Sequence, residues 1–374
     1  MTMMRVVDDG DGGGNGAGDD DARGSEGGIE PMVTTFHWDV PQVLEDEYGG
    51  FRSERILDDH AEFAELCFKE FRDRVKKWVT INEPSMFASH GYSSGVNAPG
   101  RCTPPTCPAG DSSREPYIVS HNLLRAHMRA VKIYRSKYQI KQKGMIGISV
   151  HSDWYTPYSP KEKDVEATKR VLYNTLGLYL DPIFYGDYPL SVKQIVRERL
   201  PKFSEEESKD IKGSFDFIGI NYYVTLYVLD NSTDIVLPPE GDPKDGTKPE
   251  NPEVPDTFAV TTRYVTLDRG QPVEEILQDE GRIQYIKDSL YYTLQAMRDG
   301  ADVRGFLIWS YIDNFEWEGG YANRLGLNYA NHTSSDVQRI PKSSAIWFAN
   351  AMIKRRNKWL RPFGGSPHPS KASA

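Results

Sequence analysis

From residue 30 onward, short apolar runs alternate with amphipathic stretches of three- and four-residue period. The apolar runs are MVTTFHW (32–38), KWVTINEP (77–84), GMIGISVHS (144–152), FDFIGINYY (215–223) and RGFLIWSYIDNFEW (304–317). Their length and β-branched or aromatic content predict buried strands. Between the first two, the segment 58–78 places Phe63, Cys67, Phe71, Val75 and Trp78 on one helical face, which predicts a core-facing helix. The segment 114–138 lines up Tyr117, His121, Leu124, Met128 and Val131 in the same way. Further helices are predicted at 165–184, 191–200, 282–300 and 342–357, with Gly300 as a C-terminal stop. Strands alternating with helices point to βα units around a parallel sheet, an α/β fold. The pattern fades over residues 229–282, where LPPEGDPKDGTKPENPEVPD (237–256) reads as a long exposed loop.

All five strand candidates end in polar or aromatic residues: FHWD, INEP, VHSD, INYY and WSYIDNFEW. In a (β/α) barrel the C-terminal strand ends converge on one mouth, and active sites are built there. One such ending has little meaning, whereas five together are poorly explained by packing.

Composition narrows the partners. The 374 residues carry a formal charge of −9 and include no basic run interleaved with aromatics. Nucleic acid and anionic membranes are therefore disfavoured as partners. No transmembrane run is predicted. Residues 1–29, rich in Gly and Asp, lack an apolar core, so they are expected to be a disordered acidic tail and not a signal peptide. Residues 362–374 are expected to form a second disordered tail. Cys67 reads as a core residue. Cys102 and Cys107 flank TPP and are either a small disulfide or two idle thiols. No matching His/Cys pair stands near them to suggest zinc. Asn231 and Asn331 begin sequons, relevant only to a secreted chain.

The segments HWDVPQVLEDEYGGF (37–51), WVTINEPSMFASHGYSSGVNAPGRC (78–102), GDSSREPYIVSHNLLRAH (110–127), FDFIGINYY (215–223) and VRGFLIWSYIDNFEWEGGYANRLGL (303–327) resemble the plant β-glucosidases of glycoside hydrolase family 1. The similarity runs, with interruptions, from about Glu30 to Asn357. It implies a TIM (β/α)8 barrel over residues 30–361 and retaining hydrolysis of a small β-glucoside, with neither metal nor cofactor. The resemblance makes Glu83, the Glu of the T-x-N-E-P motif, the acid/base. Asn82 would bind the sugar 2-hydroxyl, His37 another hydroxyl, and Trp309, Glu316 and Trp317 the ring and its hydroxyls. Tyr223 matches a Tyr that orients the nucleophile. The Cys102–Cys107 pair and the sequons suit the secreted or vacuolar setting usual in the family, whereas the N-terminal segment leaves the compartment unknown.

Retaining hydrolysis needs one carboxyl to protonate the leaving oxygen and another, roughly 5–5.5 Å away, to attack the anomeric carbon. The acid is held protonated by burial and a nearby carboxylate, and Glu83, among apolar residues beside Pro84, is expected to be in that state. The family's nucleophile lies in a T-E-N-G motif ending the seventh strand, and this sequence contains no T-E-N-G. The segment 258–283 is read as lacking both that strand and the motif, and Glu274 and Glu275 sit there in a charged, loop-like setting. Two βα units that precede the HWD strand in the family are also unmatched. The expectation is therefore an incomplete barrel, with about five of eight strands recognisable, and a proton donor without its nucleophile. The product is a crippled β-glucosidase-like hydrolase, or else a non-catalytic sugar-binding protein or an unstable pseudogene product.

Overall fold

The computed structural model describes residues 2–4, 30–230, 256–260, 266–267 and 270–359. Of the expected tails, residues 5–29 and 362–374 lie outside them, as does most of the loop at 237–256. Thr2–Met4, placed by the sequence reading in the N-terminal tail, is instead a strand.

Contacts divide the chain into two units, the first comprising residues 1–263 and 290–308 and the second residues 264–289 and 309–374. The first is built on a seven-stranded sheet: β1 (Thr2–Met4), β2 (Glu30–Phe36), β3 (Lys77–Asn82), β4 (Met145–His151), β5 (Phe217–Asn221), β6 (Asp256–Val260) and β7 (Val303–Leu307), hydrogen-bonded in that order. From β2 to β7 every pairing is parallel, and β1 is antiparallel on the outer edge of β2. All five strands expected from the sequence are present. The sixth parallel strand, β6, corrects the expectation that no strand lies between Tyr223 and the 282–300 helix. It has five residues and follows a Pro-rich segment, so periodicity gave it no signature; what defines it is backbone pairing with β5 and β7.

Met32, Val79, Phe217 and Leu307, drawn from β2, β3, β5 and β7, form one buried cluster with Met145 of β4 against it. Side chains from strands this far apart meet when a sheet curls around its inner face. Helices cover the other face. Helix α1 (Ile56–Glu70) buries Ile56, Leu57, His60, Ala64 and Phe68, while Phe63 and Phe71 are exposed. The expected face therefore held only past the helix end, where Val75 and, in β3, Trp78 are buried. The helix carries two apolar stripes, and the one containing Ala64 packs because a small residue allows close approach. Cys67 lies at the edge, half-buried beside the Phe68–Trp78 cluster. Helix α3, Glu115–Lys137, buries His121, Leu124, Met128 and Val131 as expected. Helix α2 is Pro84–Tyr92, and a Cys102–Cys107 disulfide closes the loop after it.

The second unit is organised around buried charge. Asp313 accepts from the Lys342 ammonium at 2.9 Å and the Gly326 amide at 2.8 Å, with Arg324 at 3.6 Å. Arg282 donates to the Gly326 carbonyl at 2.5 Å and to that of Leu325, and Asp279 accepts from the Ser344 amide at 2.8 Å. Lys342 is fully buried. Asp313→Ala would strand its ammonium, and truncating one partner of such a pair costs about 3–5 kcal/mol. Urea unfolding should register that loss, and a midpoint within error of wild type would show that the pair contributes little.

Candidate active site

In the first unit the C-terminal ends of β2 to β5 bring together a polar cluster. Asn82 closes β3, and Glu83 follows with φ 45°, handing the chain to Pro84 at the start of α2. A non-glycine residue in the left-handed region costs about 1–3 kcal/mol, and such strain concentrates at functional sites. Trp38 (φ 77°) and Trp317 (φ 48°) share this conformation. Proline at the first helical position supplies a preset φ where no amide is needed. The Glu83 amide donates to the Ser149 carbonyl at 2.7 Å, fixing the turn against β4.

Glu83 is buried and accepts at Oε1 from Asn221 Nδ2 (2.6 Å) and Tyr223 Oη (3.0 Å). The same Asn221 amide donates to Asn82 Oδ1 at 3.0 Å, and its own Oδ1 accepts from Ser149 Oγ at 2.8 Å. A Cβ on Gly219 would come within 2.9 Å of that serine oxygen, so the glycine keeps Ser149 in reach of Asn221. Asn82 Nδ2 donates to His37 Nε2 at 3.2 Å, making that nitrogen an acceptor and the ring neutral. Burial lowers the His37 pKa and outweighs the opposing pull of Glu83 and Asp39.

His151, at the end of β4, extends the cluster. Its Nδ1 lies 3.8 Å from Glu83 Oε1, an ion-pair rather than hydrogen-bond distance, and its Nε2 lies 3.3 Å from Asp153. Burial is the largest influence on Glu83 and raises its pKa, but His151, Asn221 and Tyr223 together outweigh it and leave the carboxyl below 4.5. Burial likewise works to lower His151, while Glu83 and Asp153 carry it above 6.5. The expectation was a carboxyl held protonated; among the described residues, its hydrogen-bond donors and His151 instead favour the carboxylate. The depressed Glu83 adds stability above pH 4.5 that is lost as pH falls through its folded value. The raised His151 adds stability below pH 6.5 that is lost as pH rises through its own, so the pair contributes fully between those limits.

In the second unit, Trp309 Nε1 donates to Glu316 Oε2 at 3.1 Å, Glu316 is buried, and Trp317 is partly buried next to it. A carboxylate fixed by an indole beside a second indole presents both a hydrogen-bonding edge and an apolar face. Glu274 and Glu275 lie exposed in the short helix Val273–Leu277. Asn331 turns its side-chain oxygen back onto Thr333, and Asn231 lies outside the described residues. Sequence reasoning singled out Glu83, Asn82, His37 and Tyr223. It gave no role to Asn221, Ser149, His151 or Asp153, although VHSD and INYY were recognised as polar strand ends. Among the described residues there is no metal-binding group of His, Cys, Asp or Glu, and no helix is long and apolar enough to cross a membrane.

A parallel α/β sheet whose C-terminal strand ends gather a buried carboxylate, amides and an imidazole puts a polar cluster where α/β barrels build active sites. Comparison makes the class specific. The sequence profile of glycosyl hydrolase family 1 matches residues 22–267 and 263–358. β-Glucosidase 12 of Oryza sativa subsp. indica is 42% identical over 364 residues, 87% of this chain and 71% of that protein. The furostanol glycoside 26-O-β-glucosidase of Hellenia speciosa is 45% identical over 86% of this chain and 63% of its own. The crystal structure of the rice β-glucosidase Os3BGlu6 superposes with a TM-score of 0.78 at 37% identity, covering 86% of this chain and 75% of that one. The chain belongs to glycosyl hydrolase family 1.

Proposed function

We propose that this chain is a β-glucoside-recognising member of its family in which Glu83 occupies the acid/base position and hydrolysis is severely impaired. The observation that carries the reading is the placement of the Tyr223 hydroxyl. By resemblance this group orients the nucleophile; here it donates to Glu83. The absence of T-E-N-G and the exposure of Glu274 and Glu275 support the same conclusion. By resemblance, sugar contacts are proposed for His37 and Asn82 in the first unit and, taken by themselves, for Trp309, Glu316 and Trp317 in the second. The glucosidase identities of these relatives support a small β-glucoside as ligand.

The test pairs a nitrophenyl β-glucoside assay with calorimetry. Millimolar or tighter glucose or glucoside binding with negligible turnover is expected. Brisk turnover abolished by Glu83→Gln would overturn the impairment, and no heat of binding would overturn the recognition.

A further inference from the structure

We propose that His151 is a positioning residue: backed by Asp153, it holds Glu83 in the carboxylate form, so that Glu83 is set to accept a proton rather than donate one. The inference deepens the functional reading above, since it rests on Glu83 belonging to the sugar site.

Three ionisable groups stand in succession. Asp153 stands 3.3 Å from His151 Nε2, and His151 Nδ1 stands 3.8 Å from Glu83 Oε1. Nδ1 is buried without a hydrogen bond among the described residues. A buried ring nitrogen in that state is costly, and its presence calls for an explanation. A carboxylate at each end of the imidazole favours its protonated form, and the resulting cation favours the carboxylate of Glu83. The ring is kept in place by Tyr223, whose ring centroid is 5.5 Å away and tilted by 35°.

Among the described residues, the groups facing Glu83 are few. They are His151 from β4, Asn221 from β5 and Tyr223 just after it, while His37, beyond β2, is held neutral by the Asn82 amide. Two of these donate neutral hydrogen bonds, and His151 is the one among them able to bring a full positive charge. His151 itself faces Glu83, Asp153 and the Tyr223 ring. Both amide hydrogens of Asn221 are committed to Asn82 and Glu83, so its contribution is fixed, whereas that of His151 varies with its own proton. The line Asp153–His151–Glu83 therefore decides which form Glu83 takes. A carboxylate here leaves a glucoside's departing oxygen without a proton donor and gives an incoming hydroxyl or water a base.

The experiment reads Glu83 directly and needs no turnover. The full chain is labelled with carbon-13 at glutamate side-chain carboxyls, Glu83→Gln assigns its resonance, and pH titrations are compared. The Glu83 midpoint should lie below that of an ordinary glutamate in the wild type. It should rise in His151→Phe, which keeps a ring against Tyr223, and rise less in Asp153→Asn, which nearly preserves shape and removes the distal charge. Amide spectra superposable on wild type establish folding for each variant. A Glu83 midpoint unchanged in both variants would overturn the proposal, because a merely structural histidine would leave it in place. Adding glucose to wild type tests the underlying reading separately: if the Glu83 resonance does not move with sugar, the site assignment fails while the titration result stands.

Discussion

Turnover of a nitrophenyl β-glucoside by this chain is expected to fall several powers of ten below that of a family member with both carboxylates, because residues acting as a catalytic unit lose nearly everything when one is missing. The deficit has a specific chemical form. An activated dinitrophenyl leaving group departs without protonation, so an ionised Glu83 is no handicap there; on the proposed reading, what the site lacks is an attacking group at the anomeric carbon. Azide supplied at high concentration would attack that carbon from the face opposite the phenolate, break the bond to the leaving oxygen and give the α-glucosyl azide. Azide-dependent release of dinitrophenolate with that product is the expected result. Azide-independent turnover that depends on Glu83 would mean a second carboxylate acts in this chain, and the reading of an unpaired proton group would fall.

The second large effect is on stability in acid. His60, His121 and His127 are buried, and burial is the main cause that lowers their pKa values to about 4, about 4 and about 3 from the ordinary 6.5. His127 is spanned by Thr80 at 2.7 Å and Ser214 at 3.1 Å, and His121 meets the Tyr188 hydroxyl at 2.9 Å. His60 packs edge-on against Phe36 and Phe51 with neither ring nitrogen hydrogen-bonded among the described residues. Below pH 6.5 the unfolded chain takes up protons that the folded chain refuses. Stability therefore falls with pH from 6.5 down to the folded values, by several kcal/mol in all. That is a large share of the roughly 5–15 kcal/mol typical of a domain. Melting temperatures measured from pH 7 to 4.5 should drop steeply. His60→Leu, which removes one titrating ring without breaking a hydrogen bond, should show a shallower drop. Parallel pH profiles for the two proteins would refute the assignment.

The strands were legible because each combines an apolar run with a polar exit, and KWVTINEP and FDFIGINYY ended where those signals place them. Asp256–Val260 was not, since five residues after a Pro-rich stretch carry no alternation and the strand is defined by its two neighbours. In helix α1 the pattern offered two faces, and nothing local says that Ala64 rather than Phe63 turns inward; the choice is made by what packs there. Motif spacing placed Glu83, Asn82, His37 and Tyr223 in one cluster. It could not give the charge of Glu83, which depends on His151 and Asp153. Those two belong to a strand end recognised only as polar.

The Asn221 amide has two hydrogens, one given to Asn82 and the other to Glu83. With the proposed roles of Asn82 and Glu83, sugar recognition and acid–base state are linked through that amide. A glucose hydroxyl that draws Asn82 away loosens one arm of that amide and alters the grip of the other on Glu83. By reciprocity, any proton that reaches Glu83 must change the affinity for the sugar by the same free energy. Affinity for the sugar is then expected to change with pH across the Glu83 titration.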